Sequence, residues 1–226
     1  SIDGGDSYQA SSLFAQVEPG DYQLIVRDEN GCTFEAQGAI VQPDSLIALI
    51  RPSEATIEFG ESYTINTQFS LPDTEIARAT WSPTASLDCE DCLRPNASPL
   101  RSTDYLVNVV SANGCTDQAT FRLFVDRSRP IYVPNAFSPN GDGTNDLFYI
   151  FARHGIVENI KAFQVFNRWG ESVFEGYNLD PNNPQHGWDG KFRGEFMNPA
   201  VFGWYAEIEF IDGTVEIFKG DVQLSR

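Results

Sequence analysis

A repeated segment places the strongest constraint on the fold of this chain. The residues "DYQLIVRDENGCT" (21–33) match "DYLVNVVSANGCT" (104–116) without a gap, at an offset of 83 residues. Apolar and polar residues alternate in both copies, which is the period of a β-strand with one buried face. The Asn-Gly pair that follows predicts a tight turn into a second strand. The inward-facing sets are Tyr22, Leu24 and Val26 in the first copy and Tyr105, Val107 and Val109 in the second.

The spacing of the repeat indicates the type of domain. An interval of 83 residues suits one β-sandwich per repeat. A looser third hairpin is "GWYAEIEFIDGTVEIF" (203–218), and helical periodicity is scarce along the chain. We therefore predict an all-β fold of tandem Ig-like β-sandwich domains. The inward set of the third hairpin is Trp204, Ala206, Ile208 and Phe210.

Two short segments predict the boundaries between units. "VQPDS" (41–45) and "DRSRP" (126–130) combine proline and charge between strand patterns. They predict an incomplete unit at 1–43, a whole sandwich at 44–127 and a third unit of different character at 128–226. The chain opens inside a strand-and-turn pattern, so we expect it to be the C-terminal part of a longer protein.

The charge of the chain limits its partners. The formal net charge is −17 and the sequence pI is about 4.3. Such a surface repels phosphate backbones and anionic membranes, and no apolar run is long enough to span a bilayer. We therefore expect neither nucleic-acid binding nor membrane insertion. We also expect no enzyme activity, because His154 and His186 are the only histidines and give no signature of a catalytic triad.

Four cysteines leave a choice of chemistry. Cys89 and Cys92 form a C-x-x-C pair, whereas Cys32 and Cys115 are isolated. A structural zinc site needs four ligands at suitable spacing, and a thioredoxin-like site needs a βαβ setting. Neither is visible, so we predict a short-loop disulfide between Cys89 and Cys92 in an oxidising compartment. The pairing of Cys32 and of Cys115 stays open.

The segment "PNGDGTND" (139–146) concentrates turn residues and oxygen-bearing side chains. Alternating oxygen ligands around glycines are typical of loops that bind hard cations, which makes this a candidate Ca²⁺ site, although the spacing departs from the EF-hand pattern. The alternative is a connection in which the side chains cap the backbone of their own loop. No other cofactor is indicated. The candidate ligands are Asn140, Asp142, Thr144 and Asp146.

Three tryptophans favour structural roles. We expect Trp81 to lie in the core of the middle unit, on a central strand. Trp188, in "GWDG", is expected to fill the core of the third unit while Asp189 and Gly190 shape a tight turn. Arg168 precedes Trp169 in "FNRWGE" and can pair with an acidic group or stack on an aromatic ring, most simply as a structural clasp.

The C-terminal tail is the best candidate for partner recognition. "TVEIFKGDVQLS" (214–225) predicts a terminal strand, and such a strand at a sheet edge can accept a strand from another chain. The alternative is that the strand only completes the fold. The candidate recognition residues are Lys219, Gly220, Asp221, Val222, Leu224 and Arg226.

Four motifs carry a resemblance to a known family. They are "YVPNAFSPNGDGTNDLF" (132–148), "FQVFNRWGESVFE" (163–175), "GWDGKFRG" (187–194) and "VFGWYAEIEFIDGTVEIFKGDVQLSR" (201–226). In this order they closely resemble the gliding motility-associated C-terminal domain, the type B sorting domain of the Bacteroidetes type IX secretion system. "MNPAVFGWY" departs from the short Asp-Gly turn that is usual in the family. The upstream units resemble the PKD-like or Ig-like repeats of surface adhesins.

The resemblance implies a role in export. The last domain would be a folded address, read by the type IX outer-membrane translocon or shuttle components, and the protein would be a secreted or cell-surface adhesin-like molecule. The alternative function is a structural subunit of an oligomeric extracellular filament or appendage, for which a homo-oligomer is expected. A carbohydrate-binding module would instead need an exposed aromatic platform.

Overall fold

The computed structural model describes residues 1–225 and is almost entirely β-structure, which confirms the predicted all-β fold. Its strands fall into an N-terminal hairpin, a middle unit and a C-terminal unit. No helix among these residues is long and apolar enough to cross a membrane. Arg226 lies outside the described residues.

The N-terminal hairpin consists of β1 (Gly20–Arg27) and β2 (Thr33–Ile40), paired antiparallel. The middle unit contains a four-stranded sheet in the order β4-β10-β9-β7 and two short pairs, β3-β6 and β5-β8. A short 3₁₀ helix spans Asp73–Glu75. The strands of the middle unit are β3 (Ala48–Ile50), β4 (Glu54–Glu58), β5 (Tyr63–Thr64), β6 (Thr67–Phe69), β7 (Ile76–Ser82), β8 (Asn96–Ala97), β9 (Thr103–Ser111) and β10 (Thr116–Asp126).

The C-terminal unit is built on a five-stranded sheet in the order β12-β19-β18-β14-β15. Its second layer holds the short pairs β11-β13 and β16-β17, the connecting loops and a 3₁₀ helix, Pro184–His186. The strands are β11 (Ile131–Tyr132), β12 (Ala136–Phe137), β13 (Phe151–Ala152), β14 (Val157–Phe166), β15 (Ser172–Leu179), β16 (Lys191–Phe192), β17 (Glu195–Phe196), β18 (Ala200–Phe210) and β19 (Val215–Leu224).

The two copies of the repeat fold into hairpins with the same turn. In the first copy the amide of Asp28 donates to the carbonyl of Cys32, and in the second Ser111 donates to Cys115. A glycine with positive φ completes each turn, at 86° for Gly31 and 82° for Gly114. Only glycine adopts this conformation without strain, which explains the Asn-Gly pair in both copies.

Burial follows the predicted pattern in the second copy but not throughout the first. Tyr105, Val107 and Val109 are at most 1% exposed. Val26 is 68% exposed, so its predicted burial is wrong, and Ile25 is buried at 8% exposure. The reason is that the opening segment covers the other face of β1: Cδ1 of Ile25 lies 3.3 Å from the position that a Cβ on Gly5 would occupy.

The predicted core tryptophans are confirmed. Trp81 is 2% exposed and donates its indole N–H to the carbonyl of Cys92 over 2.8 Å. Trp188 is 1% exposed, and its ring centroid lies 4.9 Å from that of Phe202. Each fills one core, which is the main source of stability for a small sandwich.

Arg129 joins the middle unit to the C-terminal unit. Its guanidinium carbon lies 5.2 Å from the ring centroid of Phe59 and 4.5 Å from that of Phe210. It pairs with Asp212 at 2.6 Å and also with Glu216. The side chains of Arg129 and Asp212 are only 10% and 4% exposed. One cation therefore contacts an aromatic ring from each unit and two carboxylates of the β18-β19 hairpin.

A second contact fixes the same junction. Arg153, after β13, donates to the carboxylate of Glu58 and to the carbonyl of Phe59. Gly60 has a φ of +87°, and a Cβ there would lie 3.1 Å from the carbonyl oxygen of Gly155. The turn after β4 therefore packs directly on the C-terminal unit, at the end of its sheet where β18 meets β19.

We expect Arg129→Met to lower the free energy of unfolding by about 1–3 kcal/mol, because it keeps the aliphatic packing but leaves the buried Asp212 carboxylate with fewer donors. Calorimetry should also show the two units unfolding less cooperatively. Arg122→Met is the matched control: its pair with Asp104 is 55% and 63% exposed, so the loss should be below about 1 kcal/mol. Equal losses in both variants would contradict a junction held by Arg129.

Candidate functional site

Strand pairing brings a segment of each of the four sequence motifs to one end of the C-terminal unit. Phe166, at the end of β14, pairs with Gly203, and Leu224, at the end of β19, pairs with both Ala200 and Phe137. The segments that follow or flank these pairs are 138–147, 167–171, 187–199 and 221–225. We call this region the distal end, because the junction with the middle unit lies at the opposite end of the same sheet.

The loop at 138–147 is organised by its own side chains. The carboxylate of Asp146 accepts hydrogen bonds from the amides of Gly141 at 2.7 Å and Gly143 at 2.8 Å. Asp142 accepts from the amide of Thr144 at 2.8 Å. The amides of Gly141 and Gly143 hold the pKa of Asp146 below its usual value. The geometry is that of a self-capped turn, the alternative stated for this sequence.

The candidate Ca²⁺ ligands are thus engaged with the loop itself. Asn140 accepts from the amide of Asp142 through its side-chain oxygen, and its side-chain nitrogen donates to the other oxygen of Asp142 at 3.0 Å. A Ca²⁺ ion coordinated by these side chains would have to replace several of those bonds. Calcium binding by Asn140, Asp142, Thr144 and Asp146 stays a prediction.

The buried side chain of Trp188 supports the loops of the distal end from the core. The ring of Trp188 lies 5.3 Å from that of Phe137, and its indole N–H donates to the carbonyl of Lys191 at 2.8 Å. Gly190 has a φ of +76°, and a Cβ there would lie 2.8 Å from Pro139 and 3.0 Å from Leu224. The "GWDG" motif therefore locks the 139–146 loop and the tail against the core, as predicted for a structural turn.

The turn between β14 and β15 presents Trp169 to solvent. The side-chain oxygen of Asn167 accepts from the amides of Trp169 and Glu171, both at 3.0 Å, and its side-chain nitrogen donates to Glu171. Arg168 stacks on Trp169 with 5.0 Å between its guanidinium carbon and the ring centroid. Trp169 is 79% exposed. Of the two contacts expected for Arg168, the stacking is found, and it lies on a ring that is exposed to solvent.

The tail residues divide into buried and exposed sets. Val222 and Leu224 are fully buried, at 0% exposure. Gly220 packs under Trp204, whose ring atoms lie 3.1 Å from where a Cβ would stand. Lys219 and Asp221 are exposed. Arg226, the last predicted recognition residue, lies outside the described residues.

The terminal strand lies inside the sheet for only part of its length. β19 pairs with β18 along its whole length, whereas β12 covers only Gln223 and Leu224 on the other side. In an antiparallel ladder every second residue directs its backbone N–H and C=O away from the partner strand. In β19 these residues include Ile217, Lys219 and Asp221, whose groups point away from β18. Among residues 1–225 no backbone hydrogen bond joins those groups to another strand. The expected sheet edge therefore exists, but it ends where β12 begins.

The C-x-x-C pair lies far along the chain from this region. Cys89 and Cys92 form a disulfide with Cα atoms 5.8 Å apart. Within residues 1–225, they and Asp88 are the one group of three His, Cys, Asp or Glu side chains close enough to share a metal ion. Cys32 and Cys115 are free thiols. Since a disulfide removes both thiolates from metal binding, the geometry offers no zinc site there.

Comparison with known proteins bears on the C-terminal unit. Residues 131–224 match the family model CHU_C, described as a type IX secretion signal domain. The C-terminal unit carries a type IX sorting signal. The match confirms the resemblance drawn from the four motifs, and it covers neither the N-terminal hairpin nor the middle unit. No curated protein matches the chain significantly.

Solved structures resemble the chain only distantly. The N-terminal eight Ig domains of Down Syndrome Cell Adhesion Molecule match at 14% identity and a TM-score of 0.35, covering 92% of this chain and 31% of that one. The fibronectin(III)-like modules of Clostridium thermocellum CbhA match at 12% identity and a TM-score of 0.29, covering 79% and 93%. The chain thus spans less than a third of the first of these structures.

We expect the Asp146 loop to respond to acid at an unusually low pH. The pKa of Asp146 is lower in the folded state than in the unfolded chain. Its contribution to folding stability is therefore complete above the unfolded pKa of about 3.9, and it is lost as pH falls through the folded pKa. The amide shifts of Gly141 and Gly143, followed by NMR, should therefore titrate below about pH 3.9.

Asp146→Asn should shift both amides already at neutral pH, because an Asn side chain offers one acceptor oxygen where Asp146 uses two. The matched control is Asp142→Asn, which keeps the acceptor for Thr144. A titration midpoint at or above the ordinary value for aspartate would contradict the capped loop.

Proposed function

We propose that the chain is the C-terminal region of a secreted or cell-surface adhesin-like protein. In this proposal the type IX outer-membrane translocon or its shuttle components recognise the distal end of the last domain. The sorting signal itself directs export to the cell surface or the extracellular space. The observation that supports this location for the recognition surface is that each of the four family motifs contributes a segment to the end opposite the junction.

The geometry supports recognition of a folded domain. The junction end of the C-terminal unit is not free for a partner, because Arg129 and Arg153 connect it to the middle unit. The distal end has no such neighbour among residues 1–225, and it carries exposed side chains such as Trp169 and Asp221 on a buried frame. A partner that approaches the free end of the sorting domain would therefore contact this surface.

A second function is favoured by the open edge of β19. Unpaired backbone groups at Ile217 and Lys219 can accept a strand from another copy of the chain, and Ile217 is 62% exposed. This supports the alternative of a structural subunit in an extracellular filament. The two functions are compatible, since a sorted protein can also assemble. Sedimentation of the purified chain over a range of concentrations tests the second one, because a filament subunit must self-associate.

The first test is export of a reporter from a type IX-competent bacterium. A fluorescent protein with a signal peptide is fused to residues 128–226, and secreted fluorescence is compared with that of a fusion lacking residues 219–226. We expect export of the first and retention of the second. The deletion also removes the buried Val222 and Leu224, so loss of folding alone can cause retention.

Point variants separate recognition from folding. Lys219→Glu and Asp221→Lys reverse exposed charges and should reduce export without changing thermal stability. Glu158→Lys, an exposed reversal in β14 near the junction, is the matched control and should be exported normally. Export of both tail variants at the control level would remove these side chains from the signal, and absence of export for the intact fusion would overturn the proposed function.

A further inference from the structure

An apolar patch lies at the rim of the distal end. Trp169 is 79% exposed, Val201 55% and Phe196 51%. Single exposed apolar residues are ordinary on soluble proteins, but contiguous ones mark interaction sites. These three line one cavity of about 210 Å³. The patch is therefore continuous across two segments that are distant in sequence.

The cavity has an apolar floor and a sparse polar rim. Met197, Ala200 and Phe202 complete its lining, and Phe202 is only 2% exposed. The polar groups at the rim are the side chains of Asn167, Arg168 and Asn198. Asn167 is already committed to its own turn. The pocket, which we call the Trp169 pocket, can thus bury an apolar group while offering few hydrogen bonds.

The wall formed by Trp169 is held in place by the backbone of its turn. Asn167 donates its amide to the carbonyl of Glu171 at 2.9 Å and accepts from the amide of Gly170 at 3.0 Å. The two further bonds from its side-chain oxygen add to this closure. Because the turn is already ordered, a partner would not have to spend binding free energy on ordering it.

Arg168 supplies an uncommitted positive charge beside the pocket. Of the neighbouring cations, Lys191 pairs with Asp189 at 2.9 Å and Arg193 approaches Glu171 at 3.7 Å. Within residues 1–225 no carboxylate lies within ion-pair distance of Arg168. In a chain of net charge −17, a cation without an acidic neighbour is suited to a carboxylate from a partner.

We propose that the Trp169 pocket binds an apolar side chain of a partner protein, next to a carboxylate that pairs with Arg168. The inference rests on the proposed function, since the partner is a protein of the export machinery. It deepens that function by adding the turn after β14 to the tail as a source of recognition energy. Tryptophan and arginine around an apolar pocket are enriched at the centre of protein interfaces.

A saccharide fits the pocket less well. A sugar ring stacks on an aromatic face but also needs hydrogen bonds for the hydroxyl groups around its edge. Among the described residues that line the pocket, Arg168, which stacks on Trp169, and Asn198 are the two polar side chains without a hydrogen bond inside the protein. The floor is apolar. Trp169 supplies the exposed aromatic ring that a carbohydrate-binding module would need, yet the chemistry around it favours an apolar side chain with one acidic neighbour.

The test uses outer-membrane vesicles from a type IX-competent bacterium as the probe. Binding of the full chain, labelled on an added C-terminal tag, is measured by fluorescence anisotropy. Trp169→Ala and Arg168→Glu should each weaken binding by about thirtyfold, as for interface hot spots. Trp169→Phe and Arg168→Lys should recover part of it. Tyr177→Ala is the matched control, since Tyr177 is a 55% exposed aromatic residue on β15, and it should bind normally.

Treatment of the vesicles identifies the class of partner. Protease digestion should abolish the difference between the wild-type chain and Trp169→Ala. Amidation of vesicle carboxylates should abolish the difference between the wild-type chain and Arg168→Glu but leave the effect of Trp169→Ala. Binding that survives protease but is lost after periodate oxidation would overturn the proposal in favour of a saccharide. Wild-type binding that is absent, or unchanged by Trp169→Ala, would also overturn it.

The reporter assay keeps the two proposals distinguishable. If the intact fusion is exported and the Trp169→Ala fusion is exported equally well, the pocket is not the recognition centre while the proposed function stands. If the intact fusion is not exported, the proposed function fails independently of any binding to vesicles. Thermal unfolding of each variant excludes a folding defect as the cause.

Discussion

The pairing of β18 with β19 is the interaction on which the C-terminal unit depends. The two strands pair residue by residue from Glu209 with Val215 to Ala200 with Leu224. Because successive side chains alternate between faces, a slip of one residue would turn Leu224 out of the core. The same register determines what lies at each end of the sheet. The turn between β18 and β19 brings Asp212 to Arg129, and the other end of β19 brings the tail to the distal loops. Fold and candidate site are therefore fixed together.

Local patterns in the sequence were sufficient to predict most of the strands. Alternation identified the buried face of β9, and Asn-Gly identified the turns of both repeat hairpins, because these features depend on residues close in the chain. The prediction failed at Val26, where burial depends on what covers the strand. In β9 a second layer covers the predicted face, whereas the opening residues pack on the face of β1 that carries Ile25. No local signal distinguishes these cases.

The candidate site was predicted as separate motifs and not as one surface. The sequence identified the 139–146 loop, the Arg168–Trp169 pair and the tail, but their meeting depends on long-range pairs such as Phe166 with Gly203. The Trp169 pocket was missed for the same reason, since Trp169 and Val201 are distant in the chain. One signal was available: Trp169 lies between Asn167 and Gly170 in a tight turn, where a large apolar side chain has little to cover it.

The family motifs combine structural and exposed residues, and the structure separates them. Trp188 and Leu224 are buried and hold the loops, while Arg168 and Trp169 are held outward. A short peptide taken from any one motif would lose this arrangement, since the pocket needs both the turn after β14 and the segment before β18. In the proposed function the signal is therefore recognised on the folded domain. In the proposed function the junction at Arg129 matters for recognition as well, because it holds the preceding unit at the end opposite the proposed surface.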